Sequence, residues 1–234
     1  MMRQIVSAAC GLWFCLGAAA LAQAEDGVVV EFYTSQGCSS CPPADDFFAE
    51  LAQQPGVIAL ALHVDYWDYI GWEDTFGAAQ FTERQKNYAR AEGSTMIYTP
   101  QMIVGGALRV EGNKPDSVAE AVASVLAQRS SVRLSIERRG DAISIRAEAV
   151  PPLVTGSTVQ VVRYLDQAKV EIERGENAGK SVTYHNIVTS WSKVAEWPGT
   201  EALVLETPAL GPEPVVVIVQ GANSGPVLAA QRLK

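Results

Sequence analysis

Two thiols lie three residues apart at Cys38 and Cys41, between an apolar run, Val28-Val29-Val30-Glu31-Phe32-Tyr33, and the pair Pro42-Pro43. A Cys-x-x-Cys pair placed where a strand feeds a helix suits redox chemistry. A helix N-terminus offers unpaired N–H groups and positive dipole character, and both stabilise a thiolate. In such a pair the first cysteine attacks a disulfide and the second resolves the mixed intermediate. Cys38 is expected at the helix start as the exposed attacker, and Cys41 one turn inside as the resolver. Ser39 and Ser40 add hydroxyls that can stabilise a thiolate. Pro42 and Pro43 fit a first helical turn, where a missing N–H costs little. The alternative is a plain disulfide that staples its own loop. So short a loop adds little stability in the chain-entropy model.

Other side chains could act beside the thiols. Glu31 is a carboxylate inside an apolar strand and is expected to be buried with a raised pKa. His63, Asp65, Tyr66, Trp67 and Asp68 end a second apolar run. Ligands of open α/β sheets bind beyond the carboxyl ends of strands, which puts this cluster on the edge that carries the cysteines. Tyr66 and Trp67 could line a substrate groove. His63 with Cys38 and Cys41 could hold a soft ion such as Cu(I) or Zn(II). The segment Gly175-Glu176-Asn177-Ala178-Gly179-Lys180 lacks the spacing of a phosphate loop and reads as a loop of the second half. No Ser-His-Asp set, HExxH motif or dinucleotide fingerprint is present.

The elements that would position these groups follow from periodicity. Val28–Thr34 is a short β-branched and aromatic run and Val57–Val64 a second largely apolar one, as in strands buried on both faces. Between them, Phe47, Phe48 and Leu51 have helical spacing, and Pro55-Gly56 closes the helix. Residues 73–92 read as a second helix. Gln101–Val104 and Ala107–Val110 form a hairpin across Gly105-Gly106, and Pro115 opens a helix striped by Val118, Ala121, Val122, Val125 and Leu126. After Gln128–Ser131 the pattern turns to period 2. Strands are predicted at Val132–Ile136, Ala142–Ala147, Val159–Tyr164, Ala168–Glu173, Thr183–Val188, Ala202–Glu206, Val215–Gln220 and Val227–Arg232, as in a small β-sandwich.

Val29-Val30-Glu31-Phe32, Cys38–Cys41 and Thr99-Pro100 before the hairpin resemble the thioredoxin superfamily. More closely, four stretches resemble a family of secreted bacterial thioredoxin-like proteins of unknown function: Phe32–Asp45, His63–Asp68, Tyr98–Gln101 and Gly175–Lys180. The resemblance implies an α/β, thioredoxin-like domain over residues 25–129, followed by a mostly β, sandwich-like domain over 130–234. It implies that Glu31 helps proton transfer to Cys41. It also implies that the Thr99–Pro100 bond is cis, faces the cysteines and frees the Thr99 backbone to pair with a substrate.

Residues 1–24 read as a secretory leader: Arg3 precedes an apolar stretch, and Ala22-Gln23-Ala24 fits a cleavage site. Cys10 and Cys15 would leave with it. The remainder would carry 17 basic and 26 acidic residues, a net of −9. That argues against nucleic acid and anionic membrane surfaces as partners. No later run is long and apolar enough to anchor the product in a bilayer. The expectation is a periplasmic or secreted thiol-disulfide oxidoreductase or redox protein. It would act on protein or small-molecule thiols and disulfides and need no organic cofactor. The alternative is a copper or zinc carrier, or a non-catalytic client-binding module.

Overall fold

The computed structural model describes residues 24–234. The expected leader lies outside the described residues except for Ala24. In chain order the elements are β1 (Glu25–Asp26), β2 (Val28–Thr34), α1 (Pro42–Leu51), β3 (Val57–His63), a 3-10 turn (Asp68–Ile70), α2 (Ala79–Ala91), β4 (Gln101–Val104), β5 (Leu108–Glu111) and α3 (Pro115–Leu126). Then follow β6 (Val132–Arg139), β7 (Ala142–Ala149), β8 (Ser157–Glu171), β9 (Ser181–Trp197), β10 (Leu203–Pro208), β11 (Val215–Gly221) and β12 (Val227–Leu233).

Local chemistry explains most boundaries. Every residue of β2 and β3 is buried, the polar Glu31, Thr34 and His63 among the apolar ones included. Prolines open α1 and α3, where their fixed φ suits the first turn. Gly105 and Gly106, at φ +61° and +66°, turn β4 into β5. The second expected helix is shorter than residues 73–92, and the stretch before α2 is a loop.

The expected division into a thioredoxin-like α/β domain and a separate β-sandwich is not what forms. The described chain is mostly β: twelve strands and three short helices. Nine strands make one sheet in the order β1-β12-β11-β8-β9-β3-β2-β4-β5, and β10-β7-β6 make a second. Strands from both halves of the sequence share the large sheet. The seam is β3 against β9, parallel through Ala61 and Ile187. Asn186, at φ +47°, donates its side-chain amide to the Ala59 carbonyl at 2.9 Å and locks that seam. The segments expected as separate strands at Val159–Tyr164 and Ala168–Glu173 are one continuous β8. A strand's own sequence records that it is a strand, but it does not record which free edge it will occupy.

Three apolar clusters hold the layers. On one face of the large sheet, Phe48 and Leu51 of α1 and Val118 and Val122 of α3 cover Val30, Phe32, Ala59 and Ala61. On the opposite face, Phe81 and Tyr88 of α2 pack on Val29, Tyr33, Leu60 and Leu62. The small sheet brings Ile136, Ile143 and Ile145 against Val159, Val161, Val217 and Val219.

Candidate functional site

Cys38 and Cys41 are joined in a disulfide with their Cα atoms 5.4 Å apart. Cys41, not Cys38, occupies the N-cap of α1, and Pro42 and Pro43 fill the first two helical positions. The two prolines fix the helix start after the second cysteine and leave the first in the preceding turn. Ala44 and Asp45 donate backbone N–H groups to the Cys41 carbonyl at 2.8 and 3.0 Å. The Ser40 hydroxyl lies 3.5 Å from the Cys38 sulfur, in reach to hydrogen-bond it.

Cys38 is not the exposed group the sequence suggested. Both cysteines are 0% exposed, whereas Ser39 and Ser40 face solvent. Two distant segments pack on the backbone of the cysteine turn. A Cβ at Gly37 would sit 3.1 Å from the Trp67 Cβ and 3.2 Å from the Ile70 side chain, so a larger residue there would have to push these neighbours by a few tenths of an ångström. From the other side Asn177, in the loop joining β8 to β9, donates its amide to the carbonyls of Gln36 and Cys38, both at 2.9 Å.

Behind the disulfide lies a buried polar cluster. Asp45 is one turn along α1 from Cys41 and accepts a hydrogen bond from the Thr34 hydroxyl at 2.9 Å. Burial pushes its carboxyl well above the usual range and the Asp74 charge adds to the rise, against the Thr34 bond. His63 ends β3 beside Thr34 and meets Asp74 through Nδ1 at 2.8 Å. Asp74 also accepts the backbone N–H groups of Gln36 and Phe76. Burial works to raise the Asp74 pKa, but His63 and these N–H donors outweigh it and hold the carboxyl below its ordinary value. Tyr184 of β9 stands edge-on to His63 at 4.8 Å, and burial beside Asp45 and Asp74 drives its phenol far up.

Glu31 is buried as expected, but it serves another face of the sheet. Thr34 and Phe32 point toward α1, whereas Glu31 lies under α2 with Val29 and Tyr33. Arg84 grips both its oxygens at 2.7 Å, and the Tyr33 and Tyr88 hydroxyls donate to it at 2.8 and 2.7 Å. The guanidinium lies 3.8 Å from the Trp191 ring centroid and also bonds Gln160 and Gln220. Glu31 is therefore a structural ion pair and not a group beneath Cys41. The buried acid one helical turn along α1 from Cys41 is Asp45.

The expected groove residues do come together. The Thr99–Pro100 bond is cis, and the Trp67 indole donates to the Thr99 hydroxyl at 2.7 Å. Tyr66 donates to Gln85, and burial pushes its phenol up to about 12. Trp67 stacks on Tyr69, which is 81% exposed. Trp67 thus joins the cysteine loop at Gly37 to the Thr99–Pro100 corner. No set of three or more His, Cys, Asp or Glu side chains is arranged to hold a metal among the described residues. In this structure the sulfurs of Cys38 and Cys41 are bonded to each other, and Nδ1 of His63 is engaged by Asp74.

Sequence reasoning passed over Asp45, Asp74, Arg84, Asn177 and Tyr184. Asp45 had a signal, its position one helical turn after Cys41. Asn177 sat in a segment noted for its glycines and assigned to the second half.

A family model described as a protein of unknown function, DUF1223, matches residues 29–220. The chain belongs to the DUF1223 family. A crystal structure of a protein from Agrobacterium tumefaciens is 30% identical, with a TM-score of 0.75, over 88% of this chain and 93% of that one. HBP35 of Porphyromonas gingivalis shares the fold at a TM-score of 0.58 and 10% identity, over 89% of this chain and 74% of its own. No curated protein matches the chain. DUF1223 membership spans both the cysteine turn and the Asn177 loop, so the family segment contains the whole candidate site.

Proposed function

We propose that this DUF1223 protein is an exported thiol-disulfide oxidoreductase or redox protein, periplasmic or secreted, in which Cys38 and Cys41 cycle between disulfide and dithiol. The observation that carries it is a disulfide set at the start of α1 with a buried carboxyl, its pKa raised by burial, one helical turn behind it. A staple is not needed there. Asn177 and Asp74 already tie the turn, and so short a loop gains little from cross-linking.

In the exchange, a partner thiolate attacks the Cys38 sulfur, the Cys38–Cys41 bond breaks, and Cys41 leaves as a thiolate. Asp45 can deliver a proton to it. A second partner thiol then attacks the mixed disulfide. It releases Cys38 and leaves the partner oxidised by two electrons, the two the protein has gained. The reverse sequence oxidises the protein at a partner disulfide's expense. Trp67, Tyr66, Thr99 and Pro100 would form the wall beside the partner.

The test is trapping. Cys41→Ser, incubated with a thiol-reactive disulfide reagent, is expected to accumulate a mixed disulfide at Cys38, and Cys38→Ser is expected to lose exchange. Exchange at the wild-type rate in Cys38→Ser would remove the proposal.

A further inference from the structure

Gln36 is 0% exposed, and each of its polar groups has a partner. Its backbone N–H donates to the Asp74 carboxylate at 2.8 Å, and its carbonyl accepts from the Asn177 amide at 2.9 Å. Its side-chain oxygen accepts from the Trp72 indole at 2.8 Å, and its side-chain amide donates to the Thr75 hydroxyl at 3.0 Å. These partners come from two segments far apart in the chain, the stretch before α2 and the β8–β9 loop. The turn that follows is closed by its own backbone. Cys38 N–H donates to the Ser35 carbonyl at 3.1 Å, and the Cys38 carbonyl accepts from Cys41 N–H at 3.2 Å and from Asn177 at 2.9 Å. None of these bonds uses a sulfur atom, so opening the disulfide breaks none of them.

A disulfide closes in proportion to the effective concentration of its two thiols, and pre-positioned groups reach effective molarities of about 10⁵–10⁸ M. A turn pinned independently of its sulfurs keeps the cysteine backbones arranged for closure after reduction. Burial works in the same direction, because it withholds the solvation that stabilises a thiolate. The start of α1 opposes both by favouring a Cys41 thiolate, an effect of roughly two- to fivefold in an equilibrium constant. The pinned turn outweighs it. We infer that Gln36 is a positioning residue that holds the reduced cysteine turn ready to close, so that the site works as an electron donor to partner disulfides. The inference rests on the thiol-exchange proposal and gives it a direction. In that direction the Cys38 thiolate attacks a partner disulfide, whose S–S bond breaks, and one partner sulfur leaves and takes a proton. Cys41, having lost its own proton, then attacks the Cys38 sulfur, and the second partner sulfur leaves and is protonated. The partner gains the two electrons and two protons that the dithiol loses. A dithiol donor of lower potential must then reload the protein.

The experiment equilibrates wild type, Gln36→Met and Trp72→Phe in glutathione and in dithiothreitol mixtures of matched ratios. Mass-resolved alkylation reads the fraction reduced. Wild type is expected to stay oxidised with glutathione and to pass through half-reduction with dithiothreitol. Gln36→Met deletes both side-chain bonds at similar size, and Trp72→Phe deletes one. The loosened turn gains freedom only when reduced, because the disulfide still holds it when oxidised. Gln36→Met should therefore shift the equilibrium toward the dithiol roughly tenfold, the scale of freeing one residue's backbone, which is about 30 mV for two electrons. Trp72→Phe should shift it less, in the same sense. A lost packing contact alone would lower Tm and leave this equilibrium unmoved. In reduced wild type the amides of Cys38 and Cys41 should still exchange slowly with deuterium. Half-reduction of wild type in the glutathione mixtures overturns the donor direction. Exchange of those two amides at free-peptide rates in reduced wild type, or an unshifted equilibrium in the variants, overturns the role of Gln36. Both results leave thiol exchange standing. A disulfide that neither reagent opens in the folded protein overturns exchange and its direction together.

Discussion

At the scale of single residues, Asp45 and Cys41 define what the site can do. A carboxyl whose pKa burial raises can pass a proton only if the fold tolerates its ionisation. The folded pKa lies above the unfolded value, so the fold binds more protons than the unfolded chain between the two. Stability from Asp45 is thus full below about pH 4 and is lost as pH rises through the folded value. Asp45→Asn keeps an acceptor for Thr34 and removes the ionisation. It should raise Tm at pH 8, leave it near wild type at pH 4, and slow release of Cys41 in exchange. Thermal unfolding across pH checks the first part. A Tm difference that does not grow with pH would show Asp45 to be solvated.

At the scale of elements, the loop from β3 to α2 matters most, because Asp74 gathers His63, Gln36 and Phe76 around one carboxylate. Its folded pKa is depressed, so its contribution is present above about pH 4 and lost as pH falls through the folded value. Asp74→Asn should cost about 2–4 kcal/mol at neutral pH, since an amide nitrogen then faces an N–H donor. Urea denaturation should also show the acid-side slope flattened in the variant. Local elements were legible: the prolines at 42, 43 and 115 fixed helix starts, and the runs at 28–34 and 57–64 read as buried strands, the second ending one residue earlier in the structure. Long-range placement was not. The cysteine turn looked free because a partner of its backbone is encoded far away, with Asn177 and Gln36 separated by 141. Glu31 looked catalytic because its partner Arg84, 53 residues on, left no local mark. Alternation tells which side chains share a face, but not which face meets α1.

At the scale of the molecule, the Glu31–Arg84 pair ties β2 to α2, and Gln160, Gln220 and Trp191 carry the tie into β8, β11 and β9. Burial opposes the Arg84 charge, yet Glu31 and the neighbouring phenols hold it firmly protonated. Arg84→Met leaves Glu31 buried without its counter-charge and should cost about 3–5 kcal/mol. Because the sheet is continuous across the β3–β9 seam, the loss should lower one transition. Calorimetric and van't Hoff enthalpies should agree in wild type and variant alike. Two resolved transitions, only one of them moved, would mean that the halves melt as separate units.

The strand pairing of β1 with β12 has a consequence for the order of events in the cell. Glu25 and Arg232, 207 residues apart, meet in one ion pair at the sheet edge. A chain delivered from its N-terminal side waits for nearly its whole length before that edge can close, so the finished fold is a product of post-synthetic assembly. The same pairing sets the start of β1 beside the end of β12. A short linker joining Lys234 to Glu25, with new termini cut at the exposed Gly140 turn between β6 and β7, would leave every pairing of the large sheet in place. Such a circular permutant could begin its synthesis with the strands that here come last.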